Sequence, residues 1–436
     1  MHFNDVTERD KARICFAYGL EPRIPFTLIG KRMGEAYEFG RLAAHIESGQ
    51  DLLPRVILDK RIIHGPESPG PGNLSILPLM HSLRICVTTT PRGDAVMVLD
   101  GEIANSVDEQ EIADLLAVTC FQREEMLIDD IPVMKWLAAE LAESGIQVEP
   151  LRFGNDVHQC VFPGNSLHAR LRRQDDLSEI HRLAAQILYR GTLPVDSGSL
   201  LGVNIPSGLN NPGYTFVGHG RGVSLFSGWT PHLENAFMLT VISTVAALGA
   251  LRLSRHEAFA AMALAQDANL ASAHNARALV AQLSDRLNEM QLDLSFGVES
   301  HIDSILIPEM VIESFQRSLS DAVGIRESLD NTSRMLQRVG AVISARLSKL
   351  EADDRERTER RDRLIAVLVA IGSLLALPPA LLLAFFGIAS PQVHPRDSIF
   401  DLHAYWGAYV LAWLPFVILV AAGSYLYSRI KRHGDH

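Results

Sequence analysis

Leu364-Ile365-Ala366-Val367-Leu368-Val369-Ala370-Ile371-Gly372-Ser373-Leu374-Leu375-Ala376-Leu377-Pro378-Pro379-Ala380-Leu381-Leu382-Leu383-Ala384-Phe385-Phe386-Gly387-Ile388-Ala389 carries no charge and one hydroxyl, at Ser373. It exceeds the roughly 20 apolar residues that a helix needs to cross the hydrocarbon core of a bilayer. Pro378 and Pro379 in its middle remove two backbone donors and predict a kink, which membrane helices tolerate where neighbours or water satisfy the freed carbonyls. Upstream, beyond a charge cluster from Glu351 to Arg363, an apolar seam runs back through Leu350, Leu347, Ile343, Val339, Leu336, Thr332, Leu329, Ile325, Ala322, Leu319, Phe315 and Ile312. Its steps of three and four keep one stripe of a helix facing a partner. Residues 309 to 389 thus read as one unbroken helix, about 120 Å long at about 1.5 Å per residue. The seam fits either a helix packed on its own domain or a self-associating stalk, and its length and its run into an apolar segment favour the stalk. Polar Thr332, and Arg346 offset beside Leu347, suit a loose bundle around a central space better than a strict zipper.

A second apolar segment, about His403 to Ser428, opens with Tyr405, Trp406 and Tyr409 and closes with Tyr425 and Tyr427. Aromatics of this kind mark the two interfaces of a bilayer. Arg355, Arg357, Arg360, Arg361 and Arg363 precede the first segment, Arg429, Lys431 and Arg432 follow the second, and the loop between them has only Arg396. Cations gather on the cytoplasmic side, which predicts both termini in the cytoplasm, an external loop and a multi-pass protein of the inner membrane. The expected fold class is α+β. A cytosolic α/β domain covers 1–253, a helical region and coiled-coil-like stalk 254–363, the spans 364–389 and 403–428, the external loop 390–402, and a basic tail 429–436.

Bulk properties agree. The chain has 436 residues, 47% of them hydrophobic, and the two apolar segments explain the excess over a soluble protein of two or three domains. The formal charge of -11, from 51 acidic against 40 basic side chains, argues against nucleic acid as a partner and suits a protein that meets cations. Cys15, Cys86, Cys120 and Cys160 share no CxxC or metal-ligand spacing and read as buried thiols of a reducing compartment. The polar N-terminus lacks the apolar core of a signal peptide, so the bulk of the chain is expected in the cytoplasm.

Ahead of residue 230, runs rich in Val, Ile and Phe predict strands at Ala12–Ala17, Phe26–Ile29, Arg55–Ile63, Ser82–Thr89, Ala95–Leu99, Val157–Phe162 and Gly213–Phe226. Thr90-Pro91-Arg92-Gly93-Asp94 predicts a hairpin turn. Amphipathic helices are expected after an N-cap at Ser106, with Asp108, Glu109 and Glu111 in its first turn, and at Ile131–Glu143 and Leu177–Tyr189. The Gly- and Pro-rich stretch 65–73 reads as a mobile loop or a domain boundary. Residues 236–252 come close to a span, but Thr240, Ser243 and Thr244 favour a buried core helix. An Ala-rich helical pattern continues to about Leu294, and Phe296-Gly297 reads as a turn.

The glycines from Gly198 to Gly222, with His219 and Arg221 interleaved, make either turns and a hairpin or a cradle for the phosphate of a nucleotide-like ligand, to which Arg221 would add charge. Their spacing matches neither a Walker loop nor GxGxxG. HExxH and GxSxG are absent, and His81 and His219 read as ordinary polar or core residues. A non-enzyme without catalytic residues, metal site or obligatory cofactor is expected.

The large cytosolic α/β domain, the long helix entering the membrane, the short external loop, the second span and the basic tail together resemble the CorA-like divalent-cation transporter superfamily. The resemblance is one of pattern over the stalk and spans, and of general architecture elsewhere. It implies a homopentamer in which the first spans line a central pore for a divalent cation such as Mg. The family carries Gly-Met-Asn at the external end of that span, usually after an aromatic. Here the place reads Phe386-Gly387-Ile388-Ala389, so the aromatic and glycine are kept while Ile388 stands for Met and Ala389 for Asn. Ala389 lacks the amide oxygen suited to a hydrated hard cation. Asp397 and Asp401 of the loop form an external acidic ring or are simply solvated. Pore and gate candidates are Ile343, Leu347, Leu350, Ser373, Pro378, Pro379, Phe386, Gly387 and Ile388, a lining that gates by dewetting and selects poorly. CorA-like proteins without the motif occur in bacterial antiviral and conflict systems, where the membrane part acts as an effector controlled at the cytosolic domain, and this chain resembles that class. Expected partners are the lipid bilayer, other copies of the chain, and a small nucleotide-like or cation ligand. Three functions follow: a channel controlled by its cytosolic domain, a signal-triggered membrane effector, or a ligand-binding module merely tethered by the spans.

Overall fold

A computed structural model describes residues 11–24, 30–49, 53–63, 80–104, 106–128, 130–147, 150–171, 177–191, 204–211, 213–267, 273–303, 306–387 and 401–433. The expectations for Phe26–Ile29, for 65–73, for the glycines before 204, and for Ile388, Ala389 and Asp397 lie outside these residues. The chain is α+β and divides into two compact units, Met1–Ser344 and Ala345–His436.

Strands of the first unit are β1 (Lys11–Glu21), β2 (Arg55–Ile63), β3 (Met80–Thr89), β4 (Ala95–Ala104), β5 (Leu127–Ile128), β6 (Ile131–Pro132), β7 (Arg152–Phe162), β8 (Phe216–His219) and β9 (Val223–Ser227). Seven of them form one sheet in the order β2-β3-β4-β1-β7-β9-β8, and β5 pairs with β6. Among the described residues, only the β7 and β9 neighbours run parallel. β1 lies at the centre, and Ile14, Cys15, Phe16, Ala17 and Tyr18 are all buried. A strand covered on both faces is apolar at consecutive positions, which is why this stretch reads as a run and not as an alternation.

The turn between β3 and β4 falls where expected. Gly93 sits there at φ 87°, and a Cβ would come within 2.9 Å of the Ile24 carbonyl. Elsewhere local chemistry moved the boundaries. The N-cap of helix Glu109–Phe121 is Asp108 and not Ser106, because Asp108 Oδ1 accepts the Glu111 N–H at 2.8 Å while Glu111 Oε2 accepts the Asp108 N–H at 2.9 Å. Ile131-Pro132 is taken into a strand, so the next helix is Val133–Glu143. The single strand expected over Gly213–Phe226 is a hairpin of β8 and β9. Phe296-Gly297 lies within a π-helical turn, Leu294–Glu299, and is not a chain reversal.

A central helix, Pro231–Asp267, packs on the sheet. Phe237 from this helix stacks on Phe226 of β9 at 4.4 Å, and Phe226 on Phe162 of β7 at 5.1 Å. Phe315 meets Phe226 and Phe237 edge-on at 5.0 and 5.2 Å, in the offset geometries aromatic quadrupoles favour.

The one helix expected over 309–389 is broken once. Helix Met310–Val323 ends at Gly324, whose left-handed φ of 72° suits a residue without Cβ. The long helix Ile325–Gly387, 63 residues with Pro378 and Pro379 inside it, begins at once. Ile312, Phe315, Leu319, Ile325, Leu336, Val339 and Ile343 are buried, whereas Leu347 is 46% exposed. Gly340 lets the long helix close on helix Ala273–Asp293, where a methyl group would stand 3.2 Å from Leu287 Cδ2. Up to Ile343, therefore, the seam packs on its own domain.

Candidate functional site

Among the described residues, two helices are long and apolar enough to cross a membrane. In Pro231–Leu264 the most apolar window is 78% buried, and this helix is the core of the first unit. In Ile325–Ala384 it is 6% buried. Leu364, Leu368 and Leu383 of the second unit are each about two-thirds exposed, and Leu411 of helix Trp406–His433 is 77% exposed. Apolar surface of this extent needs a cover other than water, at about 25 cal/mol for each Å².

The structure places the remaining pore candidates as follows. Ser373 and Pro379 are exposed, Leu350 is half-buried and Pro378 is buried. Phe386 and Gly387 end the long helix. Asp401 has a local role: its Oδ1 accepts the N–H groups of His403 and Ala404 at 3.3 and 3.4 Å, just ahead of helix Trp406–His433. A carboxylate bonded to free N–H groups at a chain turn is explained without an ion.

Thr332 is fully buried and satisfied. Its hydroxyl donates to the Ser328 carbonyl at 2.7 Å, and Arg255 of the central helix donates through Nε to Thr332 Oγ1 at 2.9 Å and through Nη2 to the Ser328 carbonyl at 3.0 Å. Arg255 thus ties the first turns of the long helix to the central helix. Sequence reasoning missed it, although a threonine on an apolar seam signals a buried hydroxyl in search of a partner.

His219 and Arg221 do not come together as a ligand site. His219 is buried, with Nε2 2.8 Å from Ser318 Oγ and its ring edge-on to Phe315, while Arg221 is exposed. Burial lowers the His219 pKa to about 4, and does the same to His158 (about 3) and His301 (about 4). Each has a hydroxyl neighbour, Ser224 at 2.8 Å for His158 and Thr244 at 3.3 Å for His301. These are neutral core histidines. Cys15, Cys86 and Cys160 are buried free thiols, Cys120 is half-buried, and among the described residues no group of three or more His, Cys, Asp or Glu is placed to hold a metal ion.

One cleft of the first unit collects charge. About 590 Å³ in volume, it opens between the central helix and the adjoining ends of β1 and β7. The strand register shifts there between Tyr18 and Leu20, and Gly154 is required because a Cβ would stand 3.0 Å from the Gly19 carbonyl. Glu21, Arg23, Asp94, Arg152, Asp156 and Glu257 line it. Arg23 Nε donates to Asp94 Oδ1 at 2.9 Å, Arg152 pairs with Glu21 at 2.9 Å, and Arg252 donates to Asp156 Oδ1 at 2.6 Å. Burial pushes the carboxyls of Asp94 and Asp156 up in spite of these partners. Comparison with protein-family models, with curated proteins and with solved structures finds no match.

Proposed function

We propose that this chain is a CorA-like, homo-oligomeric membrane channel or signal-gated membrane effector, with its first unit in the cytoplasm and its first span around a central pore. The observation that carries this reading is the long helix itself: its apolar window is 6% buried, while its first turns are anchored in the core of the first unit. One element thus belongs to both a folded domain and an apolar surface, and a change in the domain can reach the surface through it. Because the seam up to Ile343 serves the domain, Leu347 and Leu350 become the first positions free for contact between copies. Phe386-Gly387 and the bare apolar span favour a pore closed by dewetting over one that coordinates magnesium.

Reconstitution in lipid nanodiscs followed by mass measurement tests the assembly, for which a homo-oligomer is expected and a stable monomer would sink the reading. Proteoliposomes test conduction: dye or ion leak is expected from the parent and a weaker leak from Leu347→Asp. The tethered ligand-binding alternative is favoured if the oligomer forms and never leaks.

A further inference from the structure

We infer that Arg357 and Arg361 form a docking surface for the headgroups of anionic phospholipids at the cytoplasmic edge of the first span, an inference that rests on that span crossing a bilayer. The arginines ahead of the span are not equivalent. Arg360 pairs with Glu356 and Arg363 with Glu359, each one turn back along the helix. Arg357 and Arg361 are exposed and form no ion pair among the described residues. Arg361 finds no carboxylate on its own helix, since the positions one turn away on either side are Arg357, Thr358, Leu364 and Ile365. Arg357 has Asp353 one turn before it and does not pair with it. Like charges four residues apart on a helix repel, and an anion bound between them removes that cost.

The face that carries Arg357 and Arg361 continues, in steps of three and four, as Leu364, Leu368, Ile371 and Leu375, all of them exposed. Cations and apolar stripe thus share one side of one helix. Arg361 precedes Leu364 by three residues, about 4.5 Å along the axis, so its guanidinium stands at headgroup depth when the leucines meet acyl chains. Arg357 lies one turn farther out, and its long stem leans back along the helix to the same level. A guanidinium takes two phosphate oxygens at once, and the cytoplasmic leaflet supplies phosphates with net negative charge. Turned toward a pore, the same arginines would ring its inner mouth with positive charge and oppose cations. Carboxylates of a second copy are the competing occupant, but Glu356 and Glu359 are already held by Arg360 and Arg363.

The test is native mass spectrometry of the full chain in detergent micelles, titrated with phosphatidylglycerol and, separately, with phosphatidylcholine of the same acyl length. The parent is expected to retain phosphatidylglycerol about tenfold or more tightly than phosphatidylcholine. Arg357→Gln combined with Arg361→Gln is expected to bind the two lipids about equally. Arg360→Gln combined with Arg363→Gln removes as much charge and is expected to keep the preference. All four positions are exposed and glutamine is a good helix former, so neither pair of substitutions disturbs the fold. A parent without preference, or equal loss in both double variants, would overturn the assignment. So would a lower oligomer mass of the Arg357 and Arg361 variant with its lipid preference intact, which would give these arginines to a second copy. A chain that resists carbonate extraction from membranes yet shows no lipid preference refutes the docking surface alone, so failure here and failure of the span are separate results.

Discussion

The most apolar window of Pro231–Leu264 has a mean hydropathy of 1.8 and is 78% buried, while that of Ile325–Ala384 has 2.4 and is 6% buried. Hydropathy alone barely separates these helices, but their polar residues do. Thr240 and Thr244 of the central helix are buried and donate to the carbonyls four residues back, at 3.0 and 2.8 Å. Further along, Arg252 and Arg255 reach specific acceptors, Asp156 and Thr332. The long helix offers only Ser373 over its whole apolar run. A core helix carries hydroxyls and charges that find acceptors in its own domain, with Ser243 Oγ, Ser254 Oγ and Arg252 Nη1 left buried without one, whereas a span must satisfy its backbone internally and leave its side chains to lipid.

The strongest way to break this contrast is to put one carboxylate in each helix. Ile242→Asp buries an unpaired charge in the first unit and is expected to cost more than about 4 kcal/mol, enough to unfold it, as read by circular dichroism. Leu368→Asp, at a position 67% exposed, is expected to leave the first unit folded and to penalise insertion by about 2.5–3.5 kcal/mol, read as a smaller membrane-bound fraction. If both variants unfold the first unit, the contrast fails. Next in size is Phe315→Ala, which removes the aromatic joining the seam to the sheet and is expected to cost about 3–5 kcal/mol in urea unfolding. A cost near zero would return the seam to the stalk. Arg255→Ala removes two hydrogen bonds and is expected to cost about 1–3 kcal/mol, with faster amide exchange over residues 325–343. Unchanged exchange there would deny Arg255 its anchoring role.

The buried histidines make stability independent of their titration at neutral pH and lower it progressively in acid. Their folded pKa values, about 3 for His158 and about 4 for His219 and His301, lie below the usual 6.5, so the unfolded chain takes up protons first. Their contribution is complete above pH 6.5 and is lost as pH falls from there toward 4. Urea midpoints measured down that range should decline, and His219→Gln should flatten part of the slope. Midpoints indifferent to pH would mean that these side chains are not neutral and buried.

Much of the fold was legible where one local signal dominates. The apolar run of β1, the Thr90–Asp94 turn, and the hydroxyls that marked residues 236–252 as core all read correctly. The capping box at Asp108 and the break at Gly324 are also local, but a nearby serine and an uninterrupted seam hid them. The site was less legible. Whether the seam faces a second copy or its own domain depends on Leu287 arriving at Gly340 and on Phe226 and Phe237 arriving at Phe315 from other elements, and spacing carries no information on that. Nor does it show the cleft, whose walls come from residues as far apart as Gly19, Arg152 and Glu257. Of the two readings of the glycines around His219, a phosphate cradle or turns and a hairpin, the described residues form the hairpin of β8 and β9, and His219 is core.

Alkaline carbonate extraction of membranes from cells making the full chain tests most directly whether the apolar part of the long helix is covered by lipid. The chain is expected to stay in the membrane pellet. Its release into the supernatant together with peripheral proteins would contradict a membrane-spanning long helix, and the proposed pore with it.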